Sequence, residues 1–306
     1  MKHPPKRLVS CELIGLAANQ PEAFVQQCEQ AYRRRVASLA QRILSSGCHI
    51  VMLTGPSATG KTTSANKLAQ AVTELGRPAR VLSLDDFFLG EGRYPRHEDG
   101  TDDYECLEAL DLPVLRDCLR RLYETGVSEA PVFDFVTEQP CGTQLVDCRD
   151  GIVVVEGLHA LNPAITDHLP AQAVFNVYAS IREEYADPEG LRCLKTQDLR
   201  LARRLNRDAV TRGHDAAETL DMWPHVCEGE EKYIKAFRFR ADGILDTAHS
   251  YEPCLWSALL TPLLDTVPAE HPGREKLAQL CAELQRFPAL PVSLVPPDSM
   301  LREFVD

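Results

Sequence analysis

The sequence lacks several features that define large classes of proteins. No run approaches the roughly 18 consecutive apolar residues that a membrane-spanning helix needs. Basic residues are not in excess, since 33 lysines and arginines stand against 45 aspartates and glutamates, for a net charge of −12. A broad nucleic-acid-binding surface needs a basic face. We therefore expect neither nucleic acid nor a membrane among the partners of this protein.

Closely paired cysteines are missing as well, although the chain has eleven cysteines. None form a C-x-x-C pair and no histidine cluster lies near them, which argues against a zinc site. An odd number of cysteines favours reduced thiols over a disulfide framework. The stretch LVSC at 8–11 resembles a lipoprotein cleavage site, but HPPKR at 3–7 stands where a signal peptide needs an apolar segment. We therefore expect a cytoplasmic protein.

The pattern that is present is an alternation of strands and helices over 306 residues. Short aliphatic runs predict strands, and longer stretches with apolar residues at helical spacing predict helices. The predicted strands are 49–53, 79–84, 151–155, 173–179 and 241–246, and the predicted helices are 21–45, 62–75, 107–125, 196–212 and 273–287. Such alternation predicts an α/β fold whose mostly parallel sheet has helices on both faces.

The most informative motif is GPSATGKT at 55–62, which fits the pattern G-x-x-x-x-G-K-[ST]. A predicted strand precedes it and a predicted helix follows it. The glycines allow backbone N–H groups to wrap a polyphosphate, and the helix N-terminus favours negative charge. In this pattern Lys61 reaches the β- and γ-phosphates, and the Thr62 hydroxyl ligates Mg²⁺. The motif therefore predicts binding of a nucleoside triphosphate.

Acidic residues follow two other predicted strands. Asp85 and Asp86 end the strand at 79–84, and Glu156 ends the strand at 151–155. In an open α/β sheet, ligands collect at the carboxyl ends of the strands. Glu156 is placed to hold Mg²⁺ directly or through water, and Asp85 to accept a proton from a hydroxyl and to touch the same metal. An aspartate after a strand is also a common helix N-cap, so the nearby P-loop decides in favour of the chemical role.

The predicted helix at 196–212 is rich in arginine. Planar guanidiniums stabilise the charge that spreads over a phosphoryl group during its transfer. For any single arginine a solvated position on a basic helix is the alternative. As a set in a protein of net charge −12, they predict a mobile lid that closes over phosphates.

Taken together, these motifs resemble the uridine kinase and phosphoribulokinase family of P-loop kinases. The resemblance runs from about residue 49 to 247. Its motifs are the P-loop, VLSLDDFF at 81–88, PVFDF at 131–135, EGL at 156–158, RRLNRD at 203–208 with RG at 212–213, and ADGI at 241–244. More closely, the chain resembles a bacterial subgroup usually labelled uridine kinase-like or nucleoside kinase. The motifs shared with that subgroup are LEALD at 107–111, EGLHALNP at 156–163, MWP at 222–224 and LREF at 301–304.

The resemblance implies a P-loop NTPase fold that uses ATP and Mg²⁺ to phosphorylate a small-molecule hydroxyl acceptor. The implied catalytic residues are Asp85, Lys61, Arg207 and Arg212. The implied phosphate-binding residues are Gly55, Ser57, Ala58, Thr59, Gly60, Lys61, Thr62, Thr63 and Arg204, and the metal residues are Thr62, Glu156 and Asp85. We divide the chain into a helical extension (1–47), a kinase domain (48–250) with its lid at about 192–240, and a helical extension and tail (251–306) packed on the same domain. The two extensions either complete the core or form a subunit interface of a homo-oligomer.

The acceptor pocket departs from the family pattern. Its candidate residues are Asp86, Phe88, Asp103, Glu105, Phe133, Phe135, Glu138 and His159. Pyrimidine-specific uridine kinases resemble this chain but carry a tyrosine at Phe133 and a histidine near Glu138, and Phe88 replaces another tyrosine. The family's ribose-binding aspartate falls at Asp103 or Glu105. His159 contacts phosphate or acceptor in one interpretation, and caps the next helix or packs in the other.

We therefore expect an ATP-dependent small-molecule kinase that acts on the 5′-hydroxyl of a nucleoside. The altered pocket leaves open a kinase of a non-nucleoside alcohol, such as a sugar, a polyol or a vitamin precursor. A regulatory switch that hydrolyses ATP slowly is a further alternative. Asp85 argues against the switch, which has no acceptor hydroxyl to deprotonate.

Overall fold

The computed structural model describes residues 5–96, 100 and 102–306. The strands of the described chain are β1 (Arg7–Ser10), β2 (Ile50–Thr54), β3 (Ala79–Ser83), β4 (Val127–Asp134), β5 (Gln139–Asp147), β6 (Ile152–Glu156), β7 (Val174–Ser180), β8 (Glu183–Ala186), β9 (Arg192–Leu194) and β10 (Gly243–Asp246). Its α-helices are α1 (Cys11–Ala18), α2 (Pro21–Ser46), α3 (Lys61–Glu74), α4 (Leu112–Thr125), α5 (Pro163–Thr166), α6 (Thr196–Arg207), α7 (Ala216–Gly229), α8 (Pro253–Thr266), α9 (Arg274–Leu284) and α10 (Arg302–Val305).

The central sheet has five strands in the order β10-β7-β2-β6-β3. All neighbouring strands in it are parallel. Their carboxyl ends therefore meet at one edge of the sheet. The sequence predicted these five strands, and their ends agree with the prediction to within two residues.

Both faces of this sheet are covered. Successive side chains of a strand point to opposite faces, so each strand contributes to two cores. On β2, Val51 and Leu53 belong to the core that contains α2, α3 and α8. Ile50 and Met52 belong to a second core with the apolar residues of α4. All five residues of β2 are buried. The predicted α/β class, with a parallel sheet between helices, is confirmed.

Two smaller sheets were not predicted. Strands β4 and β5 form an antiparallel hairpin, whose second strand is mostly exposed. Strands β1, β8 and β9 form a three-stranded sheet in which β1 runs parallel to β8. The N-terminal segment 1–47, which was predicted to be helical, therefore also contributes a strand.

Three predicted helices are shorter than expected, and one of them, predicted at 273–287, is α9 at Arg274–Leu284. The helix predicted at 107–125 is a 3₁₀ turn at Leu107–Ala109 followed by α4, because the Asp111 side chain accepts a hydrogen bond from Val114 N and caps a new helix there. The helix predicted at 196–212 ends as α6 at Arg207 and continues as a π-helical turn at Asp208–Arg212. A π turn changes the direction of the side chains that follow it.

The C-terminal segment packs against the rest of the chain. Met300, Leu301 and Phe304 are fully buried in the same core as α2 and α3. The division into 1–47, 48–250 and 251–306 stays a prediction. No helix in the described part of the chain combines the length and the apolar character that a bilayer crossing requires.

Candidate active site

The P-loop at 55–62 connects β2 to α3 at the carboxyl edge of the sheet. Gly55 approaches β7 so closely that a Cβ at this position would lie 2.3 Å from Ala179 O. Gly60 has a φ of +77°, a region that favours glycine. Ala58, with a φ of +58°, adopts a left-handed conformation that alanine rarely does. Such backbone strain is typical of functional loops.

The P-loop borders a cavity of about 250 Å³. The predicted phosphate-binding and metal residues that line it are Ser57, Ala58, Gly60, Lys61, Thr62, Asp85, Glu156 and Arg204. Gly55, Thr59 and Thr63 do not line it. The buried Thr59 hydroxyl donates instead to Pro56 O at 2.7 Å, which closes the loop internally.

Glu156 and Thr62 are in contact at the floor of the cavity. The Thr62 hydroxyl donates to Glu156 Oε1 at 3.2 Å, and the Ser83 hydroxyl donates to the same oxygen at 3.2 Å. Glu156 is only 4% exposed. Burial raises its pKa, and the nearby Asp85 carboxylate raises it further. Ser83, at the end of β3, lies within the motif VLSLDDFF, but its bond to Glu156 was not predicted, because nothing in the sequence pairs it with a residue of β6.

Lys61 is the first residue of α3 and borders the same cavity. Its Nζ donates to Pro56 O at 3.3 Å. Among the described residues, no carboxylate lies within 4.0 Å of this ammonium. The protein atoms that crowd around it remove water and lower its pKa, whereas Glu156 and Asp85 act in the opposite direction. An ammonium in this position is available for an anionic ligand.

Asp85 lines the cavity, and Asp86 does not. Ser83 caps the 3₁₀ turn Leu84–Phe87, which directs the two carboxylates differently. Burial raises the pKa of Asp85, and Lys61 lowers it. Asp86 Oδ1 accepts a hydrogen bond of 3.3 Å from Phe133 N. Asp86 therefore tethers β4 to this turn.

Three predicted arginines line the cavity around one buried carboxylate. Asp208, 1% exposed, accepts two hydrogen bonds from Arg207, at 3.0 and 2.8 Å. It also pairs with Arg204 at 3.1 Å and with Arg212 at 3.8 Å. Arg204 Nη1 donates to Ser57 Oγ at 3.0 Å and so reaches the P-loop. Asp208, which positions this set of guanidiniums, was not predicted as a site residue from the sequence.

The neighbouring Arg203 faces the opposite way and anchors α6. It is fully buried and forms a bidentate pair with Glu252 through two bonds of 2.6 Å. A further bond of 3.3 Å reaches Ala58 O in the P-loop. Arg203 thus fixes α6 to Glu252 and to the P-loop. The mobile lid at 192–240 stays a prediction.

The other end of the cavity holds the candidate acceptor residues Phe88, Glu105 and His159. His159 is 3% exposed, and its Nε2 donates to Glu105 O at 3.0 Å. Within the described chain its Nδ1 has no partner, and burial lowers the pKa of the imidazole. Burial also raises the pKa of Glu105. Tyr104, which the sequence analysis missed, lines this end too.

The remaining candidate acceptor residues do not line this cavity. Phe133 is buried behind Phe88, with ring centroids 5.8 Å apart. Phe135 and Glu138 lie at the exposed turn of the β4–β5 hairpin, where Glu138 has a φ of +51°. Asp103 Oδ1 accepts from Glu105 N at 3.1 Å. Of the two alternatives for the ribose-binding carboxylate, Glu105 is the one that borders the cavity.

The C-terminal tail also reaches this site. Glu303 lines the cavity, and its Oε2 accepts a hydrogen bond of 2.5 Å from Thr63 Oγ1. Met300 packs on Gly60, where an added Cβ would lie 2.3 Å from Met300 Sδ. The motif LREF was visible in the sequence, but its position gave no sign of a contact about 240 residues away.

The metal residues suit a hard cation such as Mg²⁺. The hydroxyl of Thr62 and the carboxylates of Glu156 and Asp85 are oxygen donors, which Mg²⁺ prefers. No group of three or more carboxylates, histidines or cysteines in the described chain forms a metal cluster on its own. This arrangement fits Mg²⁺ that is held by one or two protein groups together with substrate phosphates and water.

A parallel sheet with a P-loop after its central strand and carboxylates after two neighbouring strands is typical of P-loop NTPases, the fold class that includes the P-loop kinases. Residues 50–185 and 191–251 match the model of the phosphoribulokinase / uridine kinase family. These segments make up more than half of the chain. The protein belongs to this family of kinases, as the sequence motifs predicted.

The chain is similar to several uridine kinases. It is 29% identical to the uridine kinase of Saccharomyces cerevisiae over 203 residues, which cover 64% of this chain and 36% of that protein. It is 23% identical to the uridine kinase of Leuconostoc citreum over 175 residues, or 57% of this chain and 75% of that protein. The solved structure of a possible uridine kinase from Bacillus stearothermophilus matches with a TM-score of 0.47 and 20% identity, over 70% of this chain and 98% of that one. The match thus spans little more than a third of the yeast relative.

Proposed function

We propose that this protein is an ATP-dependent kinase that transfers the γ-phosphoryl group to the 5′-hydroxyl of a nucleoside. The observation that carries the proposal is the shared cavity of Lys61, Asp85 and Glu156, with three arginines around it. A phosphotransferase needs cationic groups near the β- and γ-phosphates and a base near the acceptor hydroxyl. This cavity offers both within one enclosed space.

On the donor side, the P-loop backbone and Lys61 bind the phosphates of ATP. Thr62 and Glu156 hold Mg²⁺, whose charge supplies neutralisation at the β- and γ-phosphates when it is bound. The guanidiniums of Arg204, Arg207 and Arg212 stabilise the negative charge that develops on the transferred group. Asp208 keeps them together, since three unpaired guanidiniums would repel one another.

On the acceptor side, Asp85 accepts the proton of the hydroxyl group as its oxygen attacks the γ-phosphorus. The bond between that phosphorus and the oxygen that bridges to the β-phosphate breaks, and ADP leaves. Glu105 accepts hydrogen bonds from other hydroxyls of the acceptor, and His159 Nδ1 is a neutral acceptor beside it. We propose ATP, Mg²⁺ and a nucleoside as ligands on this basis.

The test is to incubate the protein with ATP, Mg²⁺ and a panel of nucleosides, sugars and polyols, and to measure ADP release. Nucleosides should stimulate ADP release far above the acceptor-free rate, and the product should carry a 5′-phosphate. The Asp85→Asn variant is the matched control, because it retains the size of the side chain and loses the base. Turnover with sugars or polyols only would refute the nucleoside assignment.

A second candidate is a kinase of a non-nucleoside alcohol. It is favoured by the position of Phe133, which lies behind Phe88 and offers no hydrogen bond to a base edge. The polar groups at this end of the cavity suit hydroxyls, which a sugar or a polyol presents as well as a ribose does. ATP hydrolysis that no acceptor stimulates would instead indicate the slow regulatory switch.

A further inference from the structure

A second cavity, of about 490 Å³, lies beside the P-loop. Pro56 and Thr59 form one wall, and Ser180 at the end of β7 forms another. Strand β7 flanks β2 on the side away from β3, whose carboxyl end carries Asp85. Strands β8 and β9 and the beginning of α6 complete the walls. The proposed phosphoryl transfer uses no side chain of this cavity.

This cavity, which we name the cationic cavity, has a strong excess of basic side chains. Its basic residues are Lys6, Arg182, Arg192, Lys195, Arg200, Lys235 and Arg238, and its acidic residues are Glu184, Glu230 and Glu231. The formal charge of the lining is thus positive in a protein whose net charge is −12. A local concentration of one sign against the overall charge indicates a ligand of the opposite sign.

The carboxylates neutralise only some of these cations. Glu184 pairs with Lys6 and with Arg192, each at 2.8 Å. Glu230 pairs with Arg200 at 2.5 Å and with Lys235 at 3.2 Å.

Three of the cations have no carboxylate partner among the residues that the structure describes. Within the described residues, no carboxylate lies within 4.0 Å of the charged groups of Arg182, Lys195 or Arg238. Burial lowers the pKa of the Arg182 guanidinium, although Asp246 acts in the opposite direction. The structure therefore holds positive charge in this cavity at a cost in solvation.

Buried hydrogen-bonding groups of the cationic cavity also lack partners. Arg200 is 5% exposed, and its guanidinium lies 5.5 Å from the Trp223 ring. Its Nη1 is bonded to Glu230, but its Nε and Nη2 have no partner in the described chain. The same holds for Arg182 Nε and Ser180 Oγ. A buried polar group without a partner is destabilising, so these groups indicate a ligand that accepts hydrogen bonds.

We propose that the cationic cavity binds a phosphorylated small molecule. Guanidiniums bind phosphate oxygens in a bidentate way, and two or more negative charges would match the unpaired cations. The ligand must be compact, because a cavity of about 490 Å³ is within the size of small-molecule sites. The overall charge of −12 favours a small anion over a nucleic acid.

The experiment is calorimetric titration of pyrophosphate into the Lys61→Ala protein at fixed ionic strength. Lys61→Ala weakens the P-loop site, so one remaining saturable site is expected. In the Lys61→Ala background, the pair Arg182→Gln and Arg238→Gln should raise the Kd for pyrophosphate at least tenfold. The pair Arg120→Gln and Arg121→Gln lies on the exposed face of α4. It removes the same charge at a distance from the cavity and should leave the Kd for pyrophosphate unchanged. Melting curves should agree between the two variants, because the cavity guanidiniums have no carboxylate partner among the described residues and the ion pairs of Arg120 and Arg121 are exposed and contribute little.

Three outcomes would overturn the proposal. The first is that the pair Arg182→Gln and Arg238→Gln and the control pair Arg120→Gln and Arg121→Gln give the same Kd for pyrophosphate. The second is displacement of pyrophosphate from the Lys61→Ala protein by excess ATP, which would make this cavity part of the donor site. The third is that the Lys61→Ala protein binds a short oligonucleotide more tightly than pyrophosphate. This binding would have to be lost when Arg182→Gln and Arg238→Gln are added. None depends on the acceptor of the kinase, so the proposed function can fail while this site stands.

Discussion

The Thr63 hydroxyl donates a hydrogen bond of 2.5 Å to the Glu303 carboxylate, which joins the helix after the P-loop to the C-terminal tail. Glu303 also lines the cavity with Lys61 and Thr62. A carboxylate thus lies at the edge of a site that is proposed to bind a triphosphate. Its charge is unfavourable for any ligand with negative charge nearby.

We predict that Glu303→Gln lowers the KM for ATP by about two- to fivefold, which corresponds to less than 1 kcal/mol. Glutamine keeps a hydrogen bond to Thr63 and removes the charge. Asp306→Asn, in the same tail but exposed, is the control and should not change the KM. A higher KM in Glu303→Gln would mean instead that the carboxylate binds the nucleotide.

Lys61→Ala should strongly reduce phosphoryl transfer with every acceptor. The ammonium has no carboxylate within 4.0 Å in the described structure and is available for the phosphates. We expect a loss of about 10²–10³-fold in kcat, as for removal of a group that stabilises transition-state charge. Lys67→Ala, on the same helix but outside the cavity, should retain activity within a few-fold. Similar losses in both variants would show that disruption of α3 is responsible.

Asp85→Asn should lower kcat by about 10²–10⁴-fold, the usual contribution of a general base. The pH dependence of the wild-type enzyme tests the same assignment. Because burial raises the pKa of Asp85, kcat/KM should fall with decreasing pH already above the ordinary carboxyl range of about 4. A profile that stays flat down to the ordinary carboxyl range of about 4 would exclude Asp85 as the base.

The same substitution should stabilise the fold at neutral pH. The pKa of Asp85 is higher in the folded than in the unfolded state, so its contribution to stability is present at low pH and is lost as pH rises through the folded-state pKa. Asparagine avoids the buried charge, and Lys61 still has Glu156 and Glu105 nearby to compensate it. We expect the melting temperature to rise by about 2–4 °C at pH 7. At pH 4 the difference should shrink, and a variant that is less stable at pH 7 would contradict this interpretation.

Glu105→Gln should reduce kcat/KM for the acceptor by tenfold or more, because the cavity loses a carboxylate that accepts from hydroxyls. Phe133→Tyr should leave kcat/KM for uridine within about threefold, since a site without direct contact contributes little to discrimination. Asp103→Asn is the comparison for the alternative ribose-binding carboxylate. Steady-state kinetics with each acceptor of the panel would decide. A large gain with uridine in Phe133→Tyr would show that Phe133 contacts the base.

The donor half of the site could be predicted from sequence because each part lies next to a strong local signal. Lys61, Thr62, Asp85 and Glu156 all follow short aliphatic strands, and parallel strands bring their carboxyl ends to one edge. The acceptor half could not be predicted in the same way. Glu138 is close to Phe133 in sequence, but the hairpin turn carries its side chain away from the cavity into solvent.

Other parts of the fold depend on contacts between distant residues, which no periodicity reveals. Strand β1 has only four residues and is identified by its pairing with β8, more than 170 residues later. Asp208 is important because three arginines converge on it, and the sequence shows only that it follows one of them. The break before α4 is different, since Asp111 and Pro113 are ordinary start signals of a helix. These two residues could have placed the start of α4 correctly, but the helix was predicted to begin at residue 107.

The packing of Met300 on Gly60 has a consequence for synthesis of the protein. The ribosome releases Gly60 well before Met300, at about 5–20 residues per second. During that interval of roughly 12–50 s, the nascent P-loop lacks the apolar cover of Met300 and the Glu303 contact that it has in the folded structure. The nucleotide site therefore reaches its final form only after Met300 and Glu303 have been synthesised, and a growing chain that pauses upstream of them carries an open P-loop.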